Sequence, residues 1–158
     1  MLLSTSFTLN IEPFSINQMF TLRSYKTSSY KKWQEFFIHE MLKQGPQKAM
    51  SQVREFFSPD SHAVMITLVY MFPKNILFTS KGTLSSRAFD LSNIEKNVID
   101  LLCLPKVHEA SDDWGAPNMN FDDKNIVKLL SKKEVSIDGN TCIHVTVDIV
   151  PIESVRGS

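Results

Sequence analysis

Phe7, Leu9 and Ile11 alternate with Thr8 and Asn10, a period of two that predicts a half-buried strand ending at Pro13. After a polar loop the period lengthens. Tyr30, Trp33, Phe37 and Met41 recur at helical spacing, which predicts a helix starting at Ser28 or Ser29, either able to cap it, and reaching about Gln44. Gly45-Pro46 reads as its stop, and the aromatic stripe as core packing. A second short helix is expected over residues 47–57, before the break at Ser58-Pro59-Asp60. Residues 63–72, rich in Val, Ile, Leu and Tyr, predict a central strand ended by Pro73. The polar stretch 74–87 reads as a loop. Residues 91–104 then predict a helix with Asp90 available as N-cap and Pro105 as terminator, followed by an aperiodic surface loop over 105–121. In the tail, Ile143, Val145, Val147 and Ile149 alternate with His144, Thr146 and Asp148, so residues 141–151 read as a strand. Joined through Asp138-Gly139-Asn140 to residues 125–137, it predicts a hairpin. The expected class is α+β: one domain over residues 1–155, its mixed or antiparallel sheet packed with helices.

Composition fits that picture. The chain has 158 residues, 42% of them hydrophobic and 22% charged, with 5 Gly and 7 Pro, which suits one folded domain rather than a disordered or repetitive chain. Cys103 and Cys142 lack the paired short spacing of a zinc site and the density of a secreted scaffold, so a reducing cytoplasm is the expected compartment. The longest apolar stretch, residues 63–72, is about half of the roughly 20 residues a spanning helix needs, so no membrane partner is expected. Neither is a signal peptide, because no positive charge precedes the first apolar residues. Arg156, Gly157 and Ser158 read as an expression-vector remnant.

Seventeen basic and 17 acidic residues cancel, so net charge gives no support for a nucleic-acid partner. Distribution changes this. Arg23, Lys26, Lys31 and Lys32 enclose Tyr25 and Tyr30, and Lys124, Lys128, Lys132 and Lys133 form a second basic run. Between them, Glu109, Asp112, Asp113, Asp122 and Asp123 share a stretch without a base. Two basic patches beside an acidic cluster suit a polyanion around a metal, although separate charge runs also describe a solvated surface.

At 100° per residue, Leu91, Ile94, Val98, Leu101 and Leu102 share one arc of the helix, while Asp90, Asn93, Lys96, Asn97 and Asp100 gather on the other. Alone, that is an ordinary amphipathic helix with a capping Asp. His39, His62, His108 and His144 have no metal-ligand spacing, Ser85-Ser86 and Ser28-Ser29 lack a nearby base, and no glycine-rich phosphate loop is present. Lys74, Lys81 and Arg87 precede Asp90 and can meet phosphates or simply solvent.

Asp90-Leu91-Ser92-Asn93-Ile94-Glu95-Lys96, then Asp100-Leu101-Leu102, a loop, Asp122-Asp123-Lys124-Asn125-Ile126 and a later Lys133 together resemble the RusA family of Holliday junction resolvases. Pro13, Ser15 and Asn17 after the first strand, with Tyr30 and Trp33 in the first helix, are similar to that family's opening. The resemblance runs from Phe7 to Ile149. It implies a homodimer that hydrolyses phosphodiesters of branched DNA, a four-way junction above all, in recombination and repair, with Mg²⁺ (or Mn²⁺) and no small-molecule cofactor; it also suggests a phage or prophage setting. Carried over by position, Asp90, Lys96 and Asp123 are the catalytic residues. Asp90 and Asp123 hold the metal, with Asp122 as stand-in for a missing carboxylate. The expected DNA contacts are Asn17, Lys26, Lys81, Arg87, Asn93, Lys128 and Lys133. One position departs: Ser92 stands where the family motif has its second Asp. Mg²⁺ commonly takes only one or two protein carboxylates, so two remaining acids suffice for one ion. The rival readings are a junction binder that has lost cleavage at Ser92 and an interaction module or inhibitor on a resolvase-like scaffold, the latter best matched to zero net charge.

Overall fold

The period-two segments form β1 (Leu3–Leu9), β2 (His62–Phe72), β3 (Ile126–Val135) and β4 (Cys142–Pro151), which assemble into one sheet in the order β1-β4-β2-β3. The computed structural model describes residues 1–14, 28–103 and 119–157. Its helices are α1 (Ser28–Met41), α2 (Gln44–Phe56), α3 (Lys74–Leu77), α4 (Leu91–Leu102) and α5 (Glu153–Arg156). This is the expected α+β class. Asn17 and Lys26, like most of the acidic run (Glu109, Asp112 and Asp113), lie outside the described residues, so their expected roles have no structural counterpart. Arg156, read from sequence as a remnant, is the last residue of α5.

The hairpin is corrected. β3 and β4 are not neighbours: β2 lies between them, antiparallel to β4 and parallel to β3. Residues 136–141 instead pass the end of β2, where the Ser136 amide donates to the Phe72 carbonyl at 2.8 Å and Gly139 turns the chain at a φ of +77°. The reason is in β2 itself. Val64, Ile66, Leu68, Tyr70 and Phe72 are buried on one face, while Met65, Val69 and Met71 are half-buried on the other. A strand so apolar on both faces belongs inside the sheet with both edges paired.

Gly45-Pro46 is corrected too: α1 ends earlier, at Met41, and the dipeptide lies in the first turn of α2, where a proline is tolerated because its missing N–H would have no intrahelical partner. The 74–87 loop contains α3 and a turn closed by Phe78 and Leu84. Asn97, read onto the polar face of α4, is fully buried, and its amide donates to the Phe14 carbonyl at 2.5 Å.

The predicted stripe Tyr30, Trp33, Phe37 and Met41 is buried as read, and joins Met50, Val53, Ile94, Val98 and Leu102 against Phe7, Leu9, Val145, Val147 and Leu68. Thus α1, α2 and α4 share a core with one face of the sheet. The opposite face carries hydroxyls and a histidine: Ser6 meets Thr146 at 3.0 Å and Thr8 meets His144 at 2.6 Å. One carboxylate is buried in the core side. Glu40 accepts from the Asn10 amide at 2.9 Å and from the Lys43 ammonium at 2.5 Å, tying α1 to the end of β1.

Candidate functional site

The expected chemistry lies along α4 and the edge strand β3, which run in opposite directions. At one end, the Lys133 ammonium donates to the carbonyls of Ala88 (3.0 Å) and Phe89 (3.2 Å), immediately before Asp90. In the middle, the Ser131 hydroxyl donates to Glu95 Oε2 at 2.6 Å. At the far end, the Met119 amide, three residues before Asp122, donates to the carbonyl of Leu102, the last residue of the helix, at 3.2 Å.

Those three contacts place the candidate ligands. Asp90 and Asp100 are about 15 Å apart along the helix at 1.5 Å per residue, and Ile126 and Lys133 roughly 23 Å apart along β3. Within one chain, Asp90 therefore stands at one end of the α4–β3 pair and Asp122 and Asp123 at the other, so the chain does not bring Asp90 and Asp123 together around an ion. Among the described residues, no group of three or more His, Cys, Asp or Glu side chains is close enough to hold one.

Each residue has its own local cause. Asp90 is exposed at the N-cap position with extended backbone (ψ 137°), and its carbonyl accepts from the Asn93 amide at 2.9 Å. Its carboxylate makes no cap hydrogen bond, so the charge faces outward. Ser92 is exposed on the first turn and Asn93 is half-buried. Lys96 is exposed, its ammonium 4.0 Å from Asp100 and directed toward the far end of the helix. Asp122 is committed to local structure: its carboxylate accepts the Asp123 amide at 2.8 Å while Asn125 Oδ1 accepts the Asp122 amide at 2.9 Å. This capping box starts the short 3-10 turn Asp123–Asn125 and leaves Asp123 as the exposed carboxylate of the pair.

The basic residues divide. Lys128 and Lys133 are five apart on β3 and so lie on opposite faces of the sheet, Lys128 exposed and Lys133 half-buried toward α4. Arg87 folds back, its guanidinium donating to the Asn75 carbonyl at 2.7 Å and to Ser85 Oγ at 3.3 Å. Lys74, Asn75, Phe78, Thr79, Ser80 and Arg87 line a concavity of about 710 Å³ in the segment preceding Asp90. Lys81 is exposed on the turn between them. A larger groove, about 1060 Å³, lies between α1 and residues 138–142 and holds none of the predicted site residues.

Two buried groups report the electrostatics. Burial first, then the carboxylates of Asp123, Asp100 and Asp122, push the Cys103 thiol up to about 12. Tyr70 Oη is buried without a hydrogen-bond partner; burial and then the Glu95 charge hold its phenol above the usual range, and the neighbouring Ser131 hydroxyl offsets part of this. Glu95, Ser131, Tyr70 and Lys133 form a polar layer between helix and sheet that the helical pattern did not single out. Its signal was available in the alternation of β3, where Ser131 and Lys133 share the inward face with Leu129. No protein-family model matches the chain, and no curated protein matches its sequence.

Proposed function

We propose that this chain is a metal-dependent, structure-specific endonuclease of branched DNA, similar to the RusA resolvases, which cuts as a homodimer with each site shared between two copies. The observation carrying this reading is the placement of two exposed carboxylates, Asp90 and Asp123, at opposite ends of the antiparallel α4–β3 pair. A two-fold axis across that pair exchanges its ends. Asp90 of one copy then approaches the partner's Asp123, and the same operation builds a second, identical site. Two symmetric sites suit paired nicks in a four-way junction.

Asp90 and the partner's Asp123 would hold a Mg²⁺ or Mn²⁺ ion there, and the chemistry such an ion would supply is acidification of water and polarisation of a phosphate oxygen. Both carboxylates would offer the hard oxygen ligands that such an ion prefers, and one or two of them are enough. Lys96 offers a positive charge to the phosphate oxygens, whose negative charge grows as water adds. Lys81, Lys74 and the concavity before Asp90 hold the flanking strand through its phosphates.

The test is cleavage of a labelled four-way junction and a matched linear duplex, with and without Mg²⁺ or Mn²⁺. Asp90→Asn and Asp123→Asn each abolish junction cleavage and leave binding within a few-fold. Mixed in equal amounts and allowed to exchange subunits, the two inactive proteins recover about a quarter of the wild-type sites, because each mixed dimer holds one intact site. A site built within one chain predicts no recovery. The second reading, a junction binder without cleavage, is favoured by the neutral Ser92 and gives specific binding with no product at any metal concentration.

A further inference from the structure

Lys133 combines three features: it is half-buried, it faces α4, and its ammonium donates to two successive carbonyls, Ala88 and Phe89, in the segment ending at Asp90. A lysine held at a phosphate keeps its charge in solvent until DNA arrives. This one is already engaged. Ala88 is buried and Phe89 half-buried, and the strand carrying Lys133 is held in place by its parallel pairing, with Tyr70 the register partner of Lys133. One cation thus fixes the backbone just before the helix. The Asp90 side chain does not anchor itself, because its carboxylate makes no cap hydrogen bond.

We propose that Lys133 is a positioning residue for Asp90, not a DNA contact: its ammonium clamps the Ala88 and Phe89 carbonyls and so sets where the Asp90 carboxylate points. Its relation to the metal rests on the nuclease reading above, while the clamp itself does not. Two of the ammonium's three donors are thereby spent inside the fold, and the outward neighbour Lys128 is left to meet phosphates, Lys132 being paired with Glu134 at 2.8 Å. Arginine at 133 can still donate to carbonyls, but its planar fork is larger than an ammonium, so it restores the clamp only in part.

The experiment compares wild type with Lys133→Met and Lys133→Arg in three measurements. Hydrogen exchange, with no DNA and no metal, reads the amides of residues 93–96, where the hydrogen bonding of α4 begins; Lys133→Met speeds these about tenfold while β4 stays protected, and Lys133→Arg falls between. Junction affinity against salt reads phosphate contacts; the slope of log K on log salt is unchanged in Lys133→Met. Cleavage against Mg²⁺ reads the site; half-saturation rises about tenfold in Lys133→Met, the size expected when support behind a ligand is lost, and Lys133→Arg recovers part of it. The inference is overturned if the slope drops by about 0.9 with exchange and Mg²⁺ dependence unaltered, the mark of one lost phosphate contact. Unchanged exchange at residues 93–96 also overturns it. If wild type never cleaves, the nuclease reading fails by itself, and the exchange measurement still decides whether the clamp exists.

Discussion

Ser92 and Cys103 mark the two ends of α4, and each tests one half of the candidate site. Ser92 is exposed on the first turn beside Asp90, where the resembling family has an acid. Ser92→Asp adds a hard, charged oxygen, so the expected outcome is tighter Mg²⁺ and faster junction cleavage with little change in stability. A folded Ser92→Asp protein that binds junctions and still cuts nothing moves the non-catalytic reading to first place. At the other end, the Cys103 thiol ionises only near 12 against an ordinary 9, chiefly through burial and then through Asp123, Asp100 and Asp122. Its folded pKa is raised, so the thiol contributes stability that is whole below pH 9 and is lost as pH climbs toward 12. Alkylation at pH 8 should therefore label the half-buried Cys142 well before Cys103. Mg²⁺ held at Asp123 cancels part of the negative field, so it should speed Cys103 labelling at pH 9; an identical rate with and without the ion places the metal elsewhere.

At the scale of elements, what a boundary residue does depends on which of its groups the neighbouring chain uses. Asp90 and Asp122 both sit at N-cap positions, yet only Asp122 caps with its side chain. Asp122→Ala should cost about 1 kcal/mol in urea unfolding, whereas Asp122→Asn, which can cap equally well, should stay within a few tenths. If Asp122→Asn also keeps full cleavage, Asp123 alone supplies the ligand at that end. A loss of activity without a loss of stability would instead make Asp122 the ligand. Gly45-Pro46 gives the same lesson in the backbone. The first helix has already ended at Met41, and these two residues sit in the first turn of the next, so a dipeptide that reads as a stop serves as a start.

For the whole molecule, the governing feature is a sheet covered by α1, α2 and α4 on one face, with hydroxyls and half-buried apolar residues on the other. Neighbouring positions of β2 should therefore respond very differently to truncation. Ile66, 1% exposed, should lose about 2–5 kcal/mol as Ile66→Ala, while Thr67→Val, half-buried on the other face, should stay within about 1 kcal/mol. Comparable losses at both would mean that something covers the second face in solution. No helix among the described residues is long and apolar enough to cross a membrane.

Sequence by itself determined the elements wherever side-chain period reports burial: the strand around Phe7 and Leu9, the aromatic helix α1, the central strand β2, the face of α4 and the alternation of β4. Local periodicity records which side of an element meets the core, and that survives without knowing what the core is. Only the tertiary structure decided that β2 separates β3 from β4, because strand order depends on edge pairing between segments some sixty residues apart, which no local pattern encodes. It also decided that Asn97 is buried, that Lys133 is engaged within the fold, and that Asp90 and Asp123 stand at opposite ends of the α4–β3 pair. Spacing along a sequence says which residue types are present; their separation in space is set by the direction in which helix and strand are packed against each other.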